Sequence, residues 1–77
     1  MEVIKGATYR HFKGDLMKVL EIAKHTETEE LMVVYKHNGA TWVRPYAMFI
    51  SKVDKEKYPN IEQEYRFQLI ETDSINK

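Results

Sequence analysis

The chain contains one stretch from which both its fold and its candidate binding surface can be predicted, Thr41-Trp42-Val43-Arg44-Pro45-Tyr46-Ala47-Met48-Phe49. In an extended strand, alternate side chains point to opposite faces, so Trp42, Arg44 and Tyr46 are expected to share one side. Proline cannot donate a hydrogen bond to a neighbouring strand, so Pro45 should end the strand or lie at a sheet edge.

Two aromatic rings on either side of a guanidinium indicate a recognition surface. Arginine presents five donors in a planar fork, stacks on aromatic rings, and suits carboxylates, phosphates or bases. The alternative is that Trp42 belongs to the core, because a small domain has few large apolar side chains to spare. In that case Arg44 would lie over the indole and pair with a surface acid.

Length and composition indicate one small domain without covalent cross-links. With 77 residues and no cysteine, the chain can form one core but no disulfide or thiolate metal site, so packing or self-association must stabilise it. Its 12 basic and 12 acidic residues balance. A pI near 6.8 argues against a non-specific nucleic-acid binder, for which a domain pI above about 9 is expected.

No apolar run approaches the roughly 18 residues of a membrane span, and the first residues do not resemble a signal peptide, so a cytoplasmic, non-membrane protein is expected.

Short strands joined by tight turns are predicted along the chain, at residues 8–12, 16–25, 31–37, 42–46 and 62–70. Asn38-Gly39 is the strongest turn signal, since both residues tolerate the positive φ of a type I′ hairpin. Residues 16–25 are ambiguous, because Leu16, Val19, Leu20 and Ala23 also fit helical spacing. The polar tetrad after them leads into a β-branched and aromatic run, which favours a hairpin and therefore a strand.

The connecting and terminal segments complete the predicted domain. Residues 47–50 should form a short helical turn that places Met48 and Phe49 in the core, and residues 51–60 a solvated loop. Residues 71–77 resemble a frayed tail, so the ordered core is expected to span about residues 6–70. The architecture predicted from these elements is a small open or closed β-barrel.

Distinctive blocks of sequence follow one another in order: Tyr9-Arg10-His11-Phe12-Lys13-Gly14, Val19-Leu20 with Ala23-Lys24-His25-Thr26-Glu27-Thr28, Val33-Val34-Tyr35, and Trp42-Val43-Arg44-Pro45 with Met48-Phe49. Together they resemble a small bacterial family, the domain of unknown function 1653 family, over about residues 6–53. The resemblance implies a mainly β fold, either a five-stranded SH3-like barrel or a strongly twisted antiparallel sheet with one short helical turn, and it assigns no activity. The chain departs from the family pattern at Met17, where an aromatic is usual, and at residues 36–40, where the loop is usually longer and contains a tyrosine.

Aromatic residues interleaved with cations are the best candidates for a binding face, because such a mixture stacks bases and binds phosphates or carboxylates. The candidate ligand-binding residues are Tyr9, Arg10, His11, Lys13, His25, Trp42 and Arg44. Tyr9 and His11 share a strand face and could present a polar aromatic pair, although His11 could instead only hydrogen-bond a turn. We predict a non-catalytic binding module for RNA or an acidic peptide. The alternative is a structural or interaction protein that pairs through an edge strand or forms a homodimer.

Catalytic and metal chemistry are not predicted. A three-histidine metal site would need His11, His25 and His37 to converge within about 2.1 Å of one ion, and no pair has a recognised ligand spacing. There is no cysteine nucleophile, and Ser51 and Ser74 lie in a charged loop and in the tail. Isolated glycines cannot form a phosphate-binding loop. We therefore expect no enzyme activity, no catalytic residues, no metal and no cofactor.

Overall fold

A computed structural model describes residues 2–72 of the chain. Its strands and single-turn helix follow one another as β1 Thr8–His11, β2 Leu16–Lys24, β3 Leu31–His37, β4 Ala40–Pro45, α1 Tyr46–Phe49 and β5 Phe67–Glu71. The strands form one antiparallel sheet in the order β4-β3-β2-β1-β5, so β4 and β5 are its two edges. The mainly β fold and the short helical turn are confirmed. A closed, SH3-like barrel is not confirmed, because within residues 2–72 no backbone pairing joins β4 to β5.

The ambiguous segment is strand β2, which pairs with β1 on one side and β3 on the other. A register shift between Val19 and Glu21 marks a β-bulge, in which an extra residue is inserted into the strand. Val19 lies opposite Tyr35, and Ile22 lies opposite Val33. Both residues of β2 therefore pack on the core side although they are three positions apart. The bulge explains why strict alternation fails in this segment and why its spacing imitates a helix.

The hairpin between β3 and β4 sets the position of the Trp42 strand. Asn38 and Gly39 have φ values of 53° and 77°, and the residues on either side of them, His37 and Ala40, are paired. The predicted Asn-Gly turn is confirmed. Pro45 lies at the end of edge strand β4, as expected for a residue that cannot donate to a sheet.

The core lies on one side of the sheet, and α1 packs against it. The Phe49 ring is fully buried. It stacks on Phe67 at 4.1 Å between ring centroids, meets Tyr9 edge-on at 5.3 Å and lies 6.2 Å from Tyr35. A single helical turn can bury only one side, since successive residues point about 100° apart. The prediction that Met48 also enters the core is therefore wrong, because its side chain is 48% exposed. No helix in the described part of the chain is long and apolar enough to cross a membrane.

The chain on either side of the central elements differs from the prediction in three places. The last strand begins at Phe67 rather than at residue 62, because the backbone before it bonds elsewhere: the Arg66 amide donates to the Ser51 carbonyl at 3.0 Å. Within the predicted solvated loop, Val53 is buried. The N-terminal lead-in contributes Val3 and Ala7 to the core, so the ordered core starts before residue 6. Of the predicted tail, residue 71 belongs to β5 and residues 73–77 lie outside the described residues.

The contrast between the two neighbouring residues of α1 can be tested by conservative replacement. Phe49→Leu should lower the free energy of unfolding by about 1–3 kcal/mol, because it loses aromatic contacts and leaves space in a packed core. Met48→Leu is the matched control, and a surface change of this kind should stay within about 0.5 kcal/mol. Urea denaturation of both variants measures the difference, and equal losses would contradict the burial of Phe49.

Candidate functional site

The candidate site lies where β1 ends, β2 begins, β3 ends and β4 begins. In an antiparallel sheet these four chain positions fall at the same end of the strands. A pocket of about 290 Å³ opens there, which we call the strand-end pocket. It is lined by His11, Lys13, Asp15, Met17, Tyr35, His37, Trp42 and Arg44. The volume is close to the lower limit for small-molecule sites and suits one side chain or a ligand fragment.

Trp42 forms an exposed wall of the strand-end pocket. Its side chain is 51% exposed, and the indole Nε1 donates a hydrogen bond to the His37 carbonyl at 3.2 Å. Tyr35, which lies opposite Trp42 on the adjacent strand β3, is buried in the core. The alternative in which Trp42 belongs to the core is therefore wrong. Within residues 2–72 no strand lies beyond the edge strand β4, and the hydrogen bond holds the indole in its orientation.

Arg44 places a positive charge against a core residue. Its guanidinium carbon lies 5.3 Å from the centre of the Phe67 ring, a cation–π distance. Within residues 2–72 the guanidinium has no ion pair or hydrogen-bond partner, so the expected pairing with a surface acid is not observed. The hydroxyl of Tyr35, in the same pocket, also has no hydrogen-bond partner in this part of the chain. Both groups can therefore donate to a ligand.

His11 has two roles that the sequence presented as alternatives. Its Nδ1 accepts a hydrogen bond from the Lys13 backbone amide at 3.1 Å, which stabilises the turn, and its ring also lines the strand-end pocket. Because Nδ1 is an acceptor, the neutral ring carries its proton on Nε2. The ring stacks on Phe12 at 4.4 Å and meets Phe67 at 5.1 Å. Burial, followed by the nearby Arg44 cation, lowers the pKa of His11 below its usual value.

Asp15 and His37 complete the polar lining, and sequence reasoning did not assign either to the binding face. His37 Nε2 lies 4.0 Å from a carboxylate oxygen of Asp15, and its Nδ1 lies 3.4 Å from the Leu16 carbonyl. The signal for His37 was its position beside the Asn-Gly turn, opposite the start of β4. Asp15 follows a glycine turn, and only the pairing of β2 with β3, in which Lys18 lies opposite Lys36, places it near His37.

Of the seven predicted site residues, four line the strand-end pocket and three, Tyr9, Arg10 and His25, do not. Tyr9 is buried, and its hydroxyl accepts a hydrogen bond from the Ile4 amide at 2.9 Å. Burial raises its pKa. The prediction that Tyr9 and His11 form an exposed polar pair is therefore wrong. Arg10 alternates with His11 and is exposed on the other face of the sheet. His25 lies at the opposite end of β2, where its Nδ1 accepts from the Glu27 amide at 3.1 Å.

The histidines accordingly do not converge. His11 and His37 line one pocket, whereas His25 lies in the turn between β2 and β3. Across residues 2–72 no group of three or more His, Cys, Asp or Glu side chains is arranged to hold a metal ion.

A larger cavity, of about 590 Å³, lies along edge strand β5 but contains none of the predicted site residues. Its charged side chains are Glu62 and Glu64, and Glu64 already pairs with Lys52 at 3.4 Å. The strand-end pocket is the better candidate because it combines cations, an exposed indole and donors that lack partners.

The electrostatic coupling within the strand-end pocket can be tested on His11. Arg44→Gln should raise the pKa of His11 and Asp15→Asn should lower it further, because the guanidinium opposes the imidazolium and the carboxylate favours it. NMR titration of the His11 ring protons measures both changes, and shifts in the same direction would contradict this geometry.

The lowered pKa of His11 also links folding to pH, because the unfolded chain binds the His11 proton more tightly than the folded chain does. The contribution of His11 to stability is therefore fully present above the usual histidine pKa of 6.5, and it is lost as the pH falls through the lower pKa of the folded state.

Comparison with known proteins extends the resemblance drawn from the sequence. The sequence model of a family described as protein of unknown function (DUF1653) matches residues 7–69, well beyond the expected limit at residue 53. A crystal structure of a DUF1653 protein from Bordetella bronchiseptica is similar, with a TM-score of 0.73 and 27% sequence identity over 90% of each chain. No curated protein matches the chain. The chain belongs to the DUF1653 family, whose function is unknown.

Proposed function

We propose that this DUF1653 protein is a non-catalytic binding module that captures an acidic group of a peptide in the strand-end pocket. The proposal rests on Arg44, whose guanidinium lines the pocket against an aromatic ring and has no hydrogen-bond or ion-pair partner within residues 2–72. A half-buried guanidinium without an acceptor favours a ligand that supplies one.

The other lining residues suit a carboxylate on a short aliphatic stem. Arginine binds carboxylates with two parallel hydrogen bonds, and the Tyr35 hydroxyl can donate a further one. Trp42 offers an apolar surface for the stem of the ligand. Lys13 adds a second positive charge, against the single carboxylate of Asp15. The lowered pKa of His11 favours its neutral ring, so Arg44 and Lys13 are the positive charges that face the anion.

The pocket favours an acidic peptide over RNA. Proteins that bind single-stranded RNA usually stack several bases on exposed aromatic rings. Here Trp42 is exposed, whereas Tyr9, Tyr35 and Phe67 are buried in the core. The net charge of zero also gives little of the long-range attraction to phosphates on which RNA affinity depends.

Two arginines on opposite faces of the sheet allow a matched test. Trp42 fluorescence is titrated with an amidated pentapeptide that contains one central aspartate, and with its asparagine counterpart. Arg44→Gln should weaken binding of the aspartate peptide by about tenfold or more, because a charge-assisted hydrogen-bond pair is lost. Arg10→Gln removes the same charge from the other face and should leave binding unchanged.

Three results would contradict the proposal: equal affinity for the two peptides, equal loss in the two variants, or a response confined to a single-stranded RNA oligonucleotide added in a parallel titration. The last result would assign the pocket to RNA instead.

A second candidate function is self-association through edge strand β4. Val43 is 58% exposed on that strand, and exposed apolar edge strands are templates for pairing with another chain. If this is the function, the protein should sediment as a dimer at high concentration and Val43→Lys as a monomer. A monomeric wild-type protein under the same conditions would exclude it.

A further inference from the structure

A second pocket, of about 270 Å³, adjoins the strand-end pocket. The two share His11 and Lys13 in their linings, so they adjoin each other at the turn between β1 and β2. We call the second one the basic pocket, because Lys13, Lys57 and Arg66 line it together with one acid, Asp54.

The two lysines of the basic pocket stand at the same aromatic ring. Lys13 Nζ lies 5.5 Å and Lys57 Nζ 5.6 Å from the centre of the Tyr58 ring. Tyr58 is held in turn by an edge-on contact with Phe12 at 4.9 Å. An anion bound near this ring would interact favourably with both ammonium groups.

The carboxylate of Asp54 offsets only one of the three positive charges in the basic pocket. Its Oδ1 accepts hydrogen bonds from the backbone amides of Glu56 at 3.0 Å and Lys57 at 3.4 Å, which is the usual arrangement of a turn. Within residues 2–72 it forms no ion pair. The basic pocket therefore keeps an excess of positive charge.

Arg66 supplies an independent sign of a missing acceptor. Its Nε is buried and has no hydrogen-bond partner. The backbone of the same residue is fixed, because its carbonyl accepts from the Phe12 amide at 2.9 Å and its amide donates to the Ser51 carbonyl at 3.0 Å. These bonds fix the backbone from which the Arg66 side chain reaches the lining of the pocket. A buried donor without an acceptor is costly, and an oxyanion would satisfy it.

We propose that the basic pocket is a second anion subsite, which takes a second acidic group of the same peptide. The ligand would then carry two acidic groups, one at Arg44 and one at Lys57 and Arg66, and cross the turn that contains Lys13. The identity of the ligand as a peptide rests on the proposed function. Joining the two groups in one molecule raises affinity, because the second binding step becomes intramolecular.

The subsite can be tested without a peptide, by NMR titration with sodium sulfate against sodium chloride at equal ionic strength. The Nε–H resonance of Arg66 should shift in a saturable manner, and Lys57→Gln should weaken this response by about three- to tenfold. The matched control is Lys24→Gln, an exposed lysine at the far end of β2, which should leave the response unchanged. A resonance that does not move, or that responds equally in both variants, overturns the subsite.

The resonances of Arg44 and Trp42 in the same titration separate this proposal from the proposed function. A sulfate response at Arg66 but not at Arg44 supports the basic pocket and counts against the strand-end pocket. A response at Arg44 but not at Arg66 supports the strand-end pocket and overturns the basic pocket.

Peptides with one or two aspartates then test whether the subsites share a ligand. The doubly acidic peptide should bind wild-type protein about tenfold more tightly than the singly acidic one, and Lys57→Gln should abolish that advantage. Equal affinities for the two peptides would overturn the shared ligand.

Discussion

The ring of Phe67 is the contact on which both the core and the strand-end pocket depend. It stacks on Phe49 with an angle of 3° between the ring planes, so it joins edge strand β5 to the helix that follows the other edge strand, β4. The same ring lies under the guanidinium of Arg44 and meets the imidazole of His11. The sheet is open, and this aromatic contact connects its two edges where backbone pairing does not.

The position of Arg44 over a core ring determines the chemistry of the pocket. A cation beside a buried aromatic surface is partly removed from water, which strengthens its interaction with neighbouring charges. At His11, burial is the larger cause of the lowered pKa, and the Arg44 cation is the next. The lowered pKa favours the neutral imidazole, so the guanidinium of Arg44 and the ammonium group of Lys13 are the positive charges that line the pocket, and Asp15 lies beside His37.

The parts of this arrangement that sequence reasoning could predict depend on neighbours in the chain. The Asn-Gly turn determines which residues of β3 and β4 are paired, and alternation then places Trp42 and Arg44 on the same side. The contact between Arg44 and Phe67 could not be predicted in this way, because it depends on β5 pairing with β1 at the far edge of the sheet. Alternation was misleading before Phe67, where residues alternate in type but the backbone bonds to a loop. The basic pocket likewise joins a turn, a loop and the residue before β5, which no local pattern connects.

The polar groups left without partners have a consequence for stability. A buried donor without an acceptor costs roughly 1–3 kcal/mol, a large share of the 5–15 kcal/mol that typically separates folded from unfolded chains. A domain of 77 residues without disulfides has little reserve to offset that cost. The Nε of Arg66 is such a buried donor, and the guanidinium of Arg44, which lies against the Phe67 ring, also has no hydrogen-bond partner within residues 2–72. An anion that supplied the missing acceptors would bind the folded chain and not the unfolded one. Binding at these positions would therefore be linked to folding, and the fold would be more stable with its ligand than without it.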